Sequence, residues 1–393
     1  MTAAAALEPD ALAAVRRALL FGNFVIGSGV MAVVGVLNDL SLSLEVSVAS
    51  AGQLISIAAA VMCFGAPFLA GWVGGFDRRR LLAGALLWYA VGHGLCALMP
   101  SYEALLPVRA VTVLGAAVFT PQAAAAVGAL TPVAQRGRAI TFIFLGWSIA
   151  SVVGMPSASY ISDLFGWRVA FLVIAALSLG AAVWVHAAVP AGLRAAPLTL
   201  SSWRDVFGDR VLMAIVLVTA LAGAGQFTLF SYFAPYFRTV HGAGTVEITL
   251  LFVWFGVFGL VGNVLASRHV DRVGASSAVD FTLLLMAASL LAWPLVGGIA
   301  GLALVLVPWA LACFSCQSMQ QARLNSAAPA LAPALMALNT SAIYLGQAAG
   351  ASSGGWLIAH QGYGSLSLFG LAWLVAAIAL SVWASRAGRR RPA

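Results

Sequence analysis

Asp77, Arg78, Arg79 and Arg80 follow one another in "GGFDRRRLLAG" (74–84), between two long apolar runs. An acid set among arginines offers latching rather than bond-making: it can pair with a cation or with the positive end of a helix. A related group, Asp271 and Arg272 in "ASRHVDRVGAS" (266–276), recurs 194 residues later. Arg109 stands inside an apolar stretch. An ionisable group there costs roughly 2.5–3.5 kcal/mol to insert and is functional by default. Catalytic patterns are missing: there is no Ser-His-Asp constellation, HExxH or phosphate-binding loop, so an enzyme is not expected. "CFSC" (313–316) has CxxC spacing, yet no second pair or nearby histidine completes a zinc site. Cys63, Cys96, Cys313 and Cys316 read as small buried thiols, and neither metal nor cofactor is expected.

The elements that carry these residues follow from composition. The 393 residues are 62% apolar and 8% charged, against about 25% charged in a soluble domain. So few charges cannot cover a water-facing surface, which makes this an integral membrane protein. The net charge of +8 is carried by arginine alone, in short clusters without interleaved aromatics, which excludes a nucleic-acid surface. Crossing the hydrocarbon takes about 20 apolar residues per helix, and the long runs lack the alternation of barrel strands. Twelve helices are expected, at about 17–38, 48–72, 81–99, 104–129, 138–162, 168–188, 211–237, 247–267, 276–297, 301–322, 332–358 and 365–385. The apolar run from Ala18 is too long for a signal-peptide core and reads as a retained first span. Alternate loops then place 17 of the 20 arginines on one side, leaving Arg109, Arg168 and Arg238. The positive-inside rule makes the rich side cytoplasmic, with both termini there.

The longest polar connection, 189–210, divides the spans six and six. The halves expected are residues 1–188 and 211–393, joined by a cytoplasmic linker. Asp77 and Asp271 follow spans 2 and 8, so one device occupies one loop of each half. Two pseudo-symmetric six-helix halves describe an all-α carrier with its site between them at mid-membrane.

At this point the chain resembles the major facilitator superfamily over about residues 18–385, in particular its twelve-span drug and sugar efflux branch of proton antiporters. "GWVGGFDRRR" and "HVDRVG" are similar to its loop signature, "LLPVRAVTVLG" to its span 4 motif and "GWSIASVVGMPSA" to its span 5 antiporter motif. "GWRVAF", "FSYFAPYF" and "ALNTSAIYLGQAAGASSGG" add to the likeness. The resemblance implies that Asp77, Arg78 and Arg80, with Arg138 as a partner, and Asp271 with Arg272 gate the cytoplasmic face. It implies that Arg109 serves proton transfer near the outward end of a central cavity. It also places Asp280 and His93 in peripheral spans, as structural residues. Gly154 and Pro156 are expected to bend span 5, because proline removes a backbone hydrogen bond.

Span 1 departs from the antiporter pattern, having no carboxylate before Asp39 at its outer end. Spans 2, 4, 5, 7, 8, 10 and 11 carry no midway acid either. The polar groups left in cavity-facing spans are uncharged: Asn23, Gln53, Gln122, Gln226, Tyr232, Gln317, Gln320, Asn339, Tyr344 and Gln347. Trp147, Trp254 and Trp309 add stacking surfaces. Amides and hydroxyls beside aromatics suit a neutral or amphipathic ligand, although some must serve ordinary interhelical hydrogen bonds. The expected function is alternating-access export of a sugar-like molecule, nucleoside or drug, with protons as a coupling partner left open. The alternatives are an uncoupled facilitator or importer of the same fold, and a membrane sensor. A monomer in a bacterial inner membrane, with lipid as its only other partner, is expected.

Overall fold

The computed structural model describes residues 8–73, 75–132, 136–194 and 200–389, with the side chains of Arg138 and Asp271 outside the described set. All regular structure among these residues is helical. The first helices are α1 (Pro9–Ser43), α2 (Val48–Trp72), α3 (Arg78–Leu98), α4 (Tyr102–Thr112) and α5 (Leu114–Leu130). Next come α6 (Arg136–Ile149), α7 (Met155–Phe165), α8 (Trp167–Ala188) and α9 (Leu200–Gly208). The remainder are α10 (Arg210–Phe230), α11 (Phe233–His241), α12 (Thr245–Val273), α13 (Ala275–Ala292), α14 (Gly298–Ala327), α15 (Ala332–Gln361) and α16 (Leu366–Arg389).

Each expected span corresponds to one helix or to one interrupted pair. Eleven spans among the described residues are long and apolar enough to cross a membrane. The twelfth, α15, has the length at 30 residues but is enriched in small and polar side chains such as Asn339, Gln347 and Ser352.

Three spans read as continuous are interrupted, each for a local reason. Between α4 and α5, the Thr112 hydroxyl donates back to Val108 O at 2.7 Å, a bond that competes with the helical ladder and bends it. Between α10 and α11, Pro235 has no N–H to offer the preceding turn, so the helix stops at Ser231–Tyr232 and restarts. In span 5 the helix widens into a π turn over Ala150–Gly154, just before Pro156, with Met155 N–H reaching Ala150 O. Such single π turns accommodate a strained ladder and concentrate at functional sites.

The chain forms two compact units, one of residues up to Leu40 with Phe64–Pro197, the other of Ser41–Cys63 with Leu198–Ala393. Their internal packing repeats. α3 packs on α8 and α5 in the first, as α13 packs on α16 and α14 in the second. Small residues let helices approach closely without a hydrophobic drive between them. In the first unit a side chain at Gly146 would lie 2.6 Å from Phe24 N, and one at Gly154 2.7 Å from Ser28 Cβ, so α1 lies directly on span 5. In the second, Gly223 and Gly346 bring α10 against α15 in the same way.

The expected linker contains a helix. Along α9, Trp203 and Val206 share a face by their spacing. Val206 is fully buried among Leu212, Leu324 and Leu335, so α9 is docked onto the second unit.

Candidate functional site

Arg109 ends the short helix α4 and is buried to 1% exposure. Its guanidinium reaches His93, Gly29 and the Tyr89 hydroxyl. Nη1 lies 3.0 Å from His93 Nε2 on α3, and Nη2 donates to the Gly29 carbonyl of α1 at 2.9 Å. An arginine offers only donors, so His93 Nε2 must be the acceptor. The imidazole proton then sits on Nδ1, which is 2.9 Å from Tyr89 O and donates to it. The bond pattern therefore fixes His93 as neutral. Tyr89 donates its hydroxyl to Ile26 O at 3.2 Å, and Phe171 of α8 lies under the guanidinium at 5.9 Å. Gly29 is required for this approach, since a side chain there would meet the Tyr89 ring at 2.8 Å. Among the described residues no carboxylate pairs with Arg109, and its Nε is buried without a partner. The result is a cation held inside the helices by carbonyls, one neutral base and aromatic faces.

At the start of α3, Asp77 caps the helix, accepting from Arg79 N at 2.9 Å and Arg80 N at 3.3 Å. Its other oxygen accepts from Gly192 N, beyond the end of α8. Arg78 N donates to Leu193 O at 2.9 Å, and Arg79 Nε to His186 O at 2.7 Å. The acid thus clasps the entry of α3 to the exit of α8. Partial burial disfavours its charge, but the three backbone donors and the nearby Arg80 outweigh that and hold its carboxyl below the usual range. Arg78 is buried and bonds Val73 O at 3.2 Å, whereas Arg80 and Arg272 are exposed. Arg79, Arg80, His186 and Arg194 border an open cleft of about 410 Å³ beside Asp77.

The second unit holds an uncharged network. Thr219 donates to Asn339 Oδ1 at 2.7 Å and accepts from Gln320 Nε2 at 3.1 Å; Gln320 Nε2 also reaches Ile215 O at 3.0 Å. Gln226, Gln317 and Gln320 line a void of about 10 Å³, room for one water. Gln317 Oε1 and Gln320 Oε1 are buried without protein donors, so this void is the place for a donor group. A separate knot ties three helices: Arg323 of α14 donates to Ser381 O at 3.1 Å and Ser385 Oγ at 3.0 Å on α16. Ser381 Oγ in turn donates to Asp280 of α13.

The other expected cavity residues have varied placements. Asn23 uses both ends of its amide between helices, donating to Ile143 O at 3.2 Å and accepting from Thr120 at 3.1 Å. Tyr232 is fully buried and donates to Ala351 O at 2.7 Å. Trp309 is sealed into an aromatic cluster with Phe233, Phe255 and Trp293. Trp254 is exposed, its indole donating to Ala303 O at 2.8 Å. Gln53 is exposed; Gln122, Tyr344 and Gln347 are buried, and Trp147 is half-buried against Gly27. Residues 154 and 156 flank the end of the π turn. Tyr89, Thr219, Arg323 and Ser381 are the partners in these networks that residue spacing did not single out, whereas His93 and Asp280, expected as structural residues, take part in them. The four cysteines are buried free thiols.

Comparison with known proteins agrees with this architecture. The family model described as Major Facilitator Superfamily matches residues 19–351. The chain is 32% identical over 365 residues to a chloramphenicol resistance protein of Streptomyces lividans, covering 91% of this chain and 92% of that protein. It is 29% identical to the inner membrane transport protein YdhP of Escherichia coli (strain K12), over 92% of this chain and 93% of that one. Among solved structures, the inward-facing, unoccupied form of a bacterial homologue of the human lysosomal transporter Spinster aligns with a TM-score of 0.79 at 16% identity. That alignment covers 98% of this chain and all of the other, a likeness of fold. Family model, relatives and twelve-span architecture coincide over nearly the whole length, and the chain belongs to the Major Facilitator Superfamily, whose members are membrane transporters and not enzymes.

Proposed function

We propose that the protein exports a small neutral or amphipathic organic compound across a bacterial inner membrane, working as a monomer by alternating access. The observation that carries this reading is the 32% identity to a chloramphenicol resistance protein over 91% of the chain. The interior chemistry supports it. Thr219, Gln226, Gln317 and Gln320 offer amide and hydroxyl groups without charge, which suits a ligand carrying hydroxyls or amides rather than a cationic drug. Arginine distribution supports cytoplasmic termini. Asp77 and Arg78 act as a clasp between the start of α3 and the segment after α8, and Asp271 with Arg272 as its counterpart in the second half. Export is coupled to protons at the buried site around Arg109.

A second reading, an uncoupled facilitator, is favoured by the lack of any carboxylate on Arg109 among the described residues. Flux of radiolabelled chloramphenicol into proteoliposomes separates the two. The coupled reading expects an imposed pH gradient to drive accumulation several-fold above the gradient-free level. Equal flux with and without the gradient removes coupling, and no flux in either direction removes export of this class.

A further inference from the structure

We propose that His93 is the proton-binding group of the first unit, and that a proton and Arg109 compete for it. The inference deepens the coupled-transport reading and rests on it for its purpose, though not for its chemistry. A proton exchanger needs a group that changes charge, and the buried arginine cannot supply one because it stays protonated in proteins. Among the described residues no carboxylate, the usual alternative, contacts it. The base in contact with the guanidinium among the described residues is the His93 imidazole, whose Nε2 lone pair is occupied by Arg109 Nη1 at 3.0 Å. Histidine is also the side chain whose ordinary titration falls nearest neutral pH.

The geometry gives the exchange a definite course. An incoming proton adds to Nε2 and makes an imidazolium; Nδ1–H keeps its bond to Tyr89 O. Nε2–H now faces Nη1–H, donor against donor and cation against cation, in a water-poor interior where such repulsion is poorly screened. The Gly29 carbonyl, held by Arg109 Nη2 at 2.9 Å, also faces the imidazole. It is therefore the acceptor that Nε2–H takes, and Arg109 gives up its bonds to His93 and Gly29 together. Gly29 belongs to α1, His93 to α3 and Arg109 to α4. Proton uptake thus unties α4 from α1 and α3, and deprotonation ties it again. The titratable and charged groups around the imidazole are Arg109 from α4 and, on its own helix, Tyr89 and Cys96. α1 contributes the Gly29 and Ile26 carbonyls and α8 the Phe171 ring, neither of which titrates.

Nitrogen-15 NMR of ring-labelled histidine in nanodiscs tests this without any substrate. The protein has five histidines. His93→Gln assigns the signal by its loss, and a protein with His186, His241, His269 and His360 each replaced by asparagine assigns it should that variant not fold. The expected wild-type ring is neutral with its hydrogen on Nδ1 at pH 8 and takes a second hydrogen, on Nε2, only as the pH is brought well below 5, reversibly. In Arg109→Gln, half-protonation is expected at a proton concentration about ten-fold lower, because the competing cation is gone. Should Arg109→Gln not fold, Arg109→Met, which likewise removes the cation and its donors, is read instead and shifts in the same sense. A His93 ring that stays neutral at pH 3 in folded protein overturns the proposal, as does a titration identical with and without Arg109. Failure of the transport reading shows separately, as absent flux from a protein whose ring titrates as described.

Discussion

Replacing His93 with alanine is expected to lower stability by about 3 kcal/mol, whereas glutamine at the same position retains most of it. The asymmetry follows from what is left behind. Arg109 is 1% exposed and loses the acceptor of one arm once the imidazole is gone, so a buried cation is left short of a partner. A void opens as well, because His93 is fully buried between Tyr89 and Phe171. Glutamine fills much of that space and returns an amide oxygen to the guanidinium. Thermal melting of the purified variants checks this: alanine melts well below wild type and glutamine between them. Equal melting of the alanine and glutamine forms would mean that the hydrogen bond contributes little.

The second large effect is expected from Gly346→Val. A side chain there would lie 3.0 Å from Ala224 N and closer still to the Ala220 carbonyl, both backbone atoms of α10. Backbone cannot rotate away as a side chain can, so α10 and α15 must separate along the seam where Gly223 meets Gly346. Overpacking of a side chain costs about 1–3 kcal/mol; displacing a whole helix exceeds that, and little monodisperse protein is expected on size exclusion. Gly180→Ala is the control, because a side chain at that position meets nothing within 4 Å. Alanine there is expected to match wild type or stabilise slightly through helix propensity. Similar yields from Gly346→Val and Gly180→Ala would show the seam to be slack.

Much of the architecture could be read in the residues because lipid imposes a coarse rule. A span needs length and apolarity, and twelve runs in the sequence have both or nearly both. The interruptions were less legible. Thr112 and Pro235 act on a single turn, whereas hydropathy averages over many residues. The helix at Leu200–Gly208 was hidden by the polar residues around it, although Trp203 and Val206 already mark one face.

The site was legible in part. Arg109 stood out because a charge inside an apolar run is costly. Its partner did not, since His93 sits in a span assigned a peripheral role. A geometric signal was present nonetheless. α3 and α4 are joined by the short turn at Met99–Ser101. Residues roughly equidistant from such a turn lie at equal depth, about 10 Å in for seven residues of helix, and His93 and Arg109 satisfy this. Arg323 lies near the end of its run, so its position groups it with the loop arginines, yet it is buried, shares the Ser381 hydroxyl with Asp280 and lies within that acid's electrostatic reach. Long-range relays of that kind leave no trace in local spacing. The sequence points to Asp77 as a latch for a cation or a helix N-terminus; that it caps its own helix α3 and takes Gly192 N as a further donor shows only in the folded chain.

The account rests on a duplicated carrier whose two clasp loops face the same compartment. Single cysteines at Arg79 and Arg272, probed with a membrane-impermeant maleimide, test this directly, since the four native thiols are buried and react slowly. Both cysteines are expected to label in inside-out vesicles and to resist labelling in intact cells. Labelling of the two positions from opposite sides of the membrane would contradict the duplication and the carrier built on it.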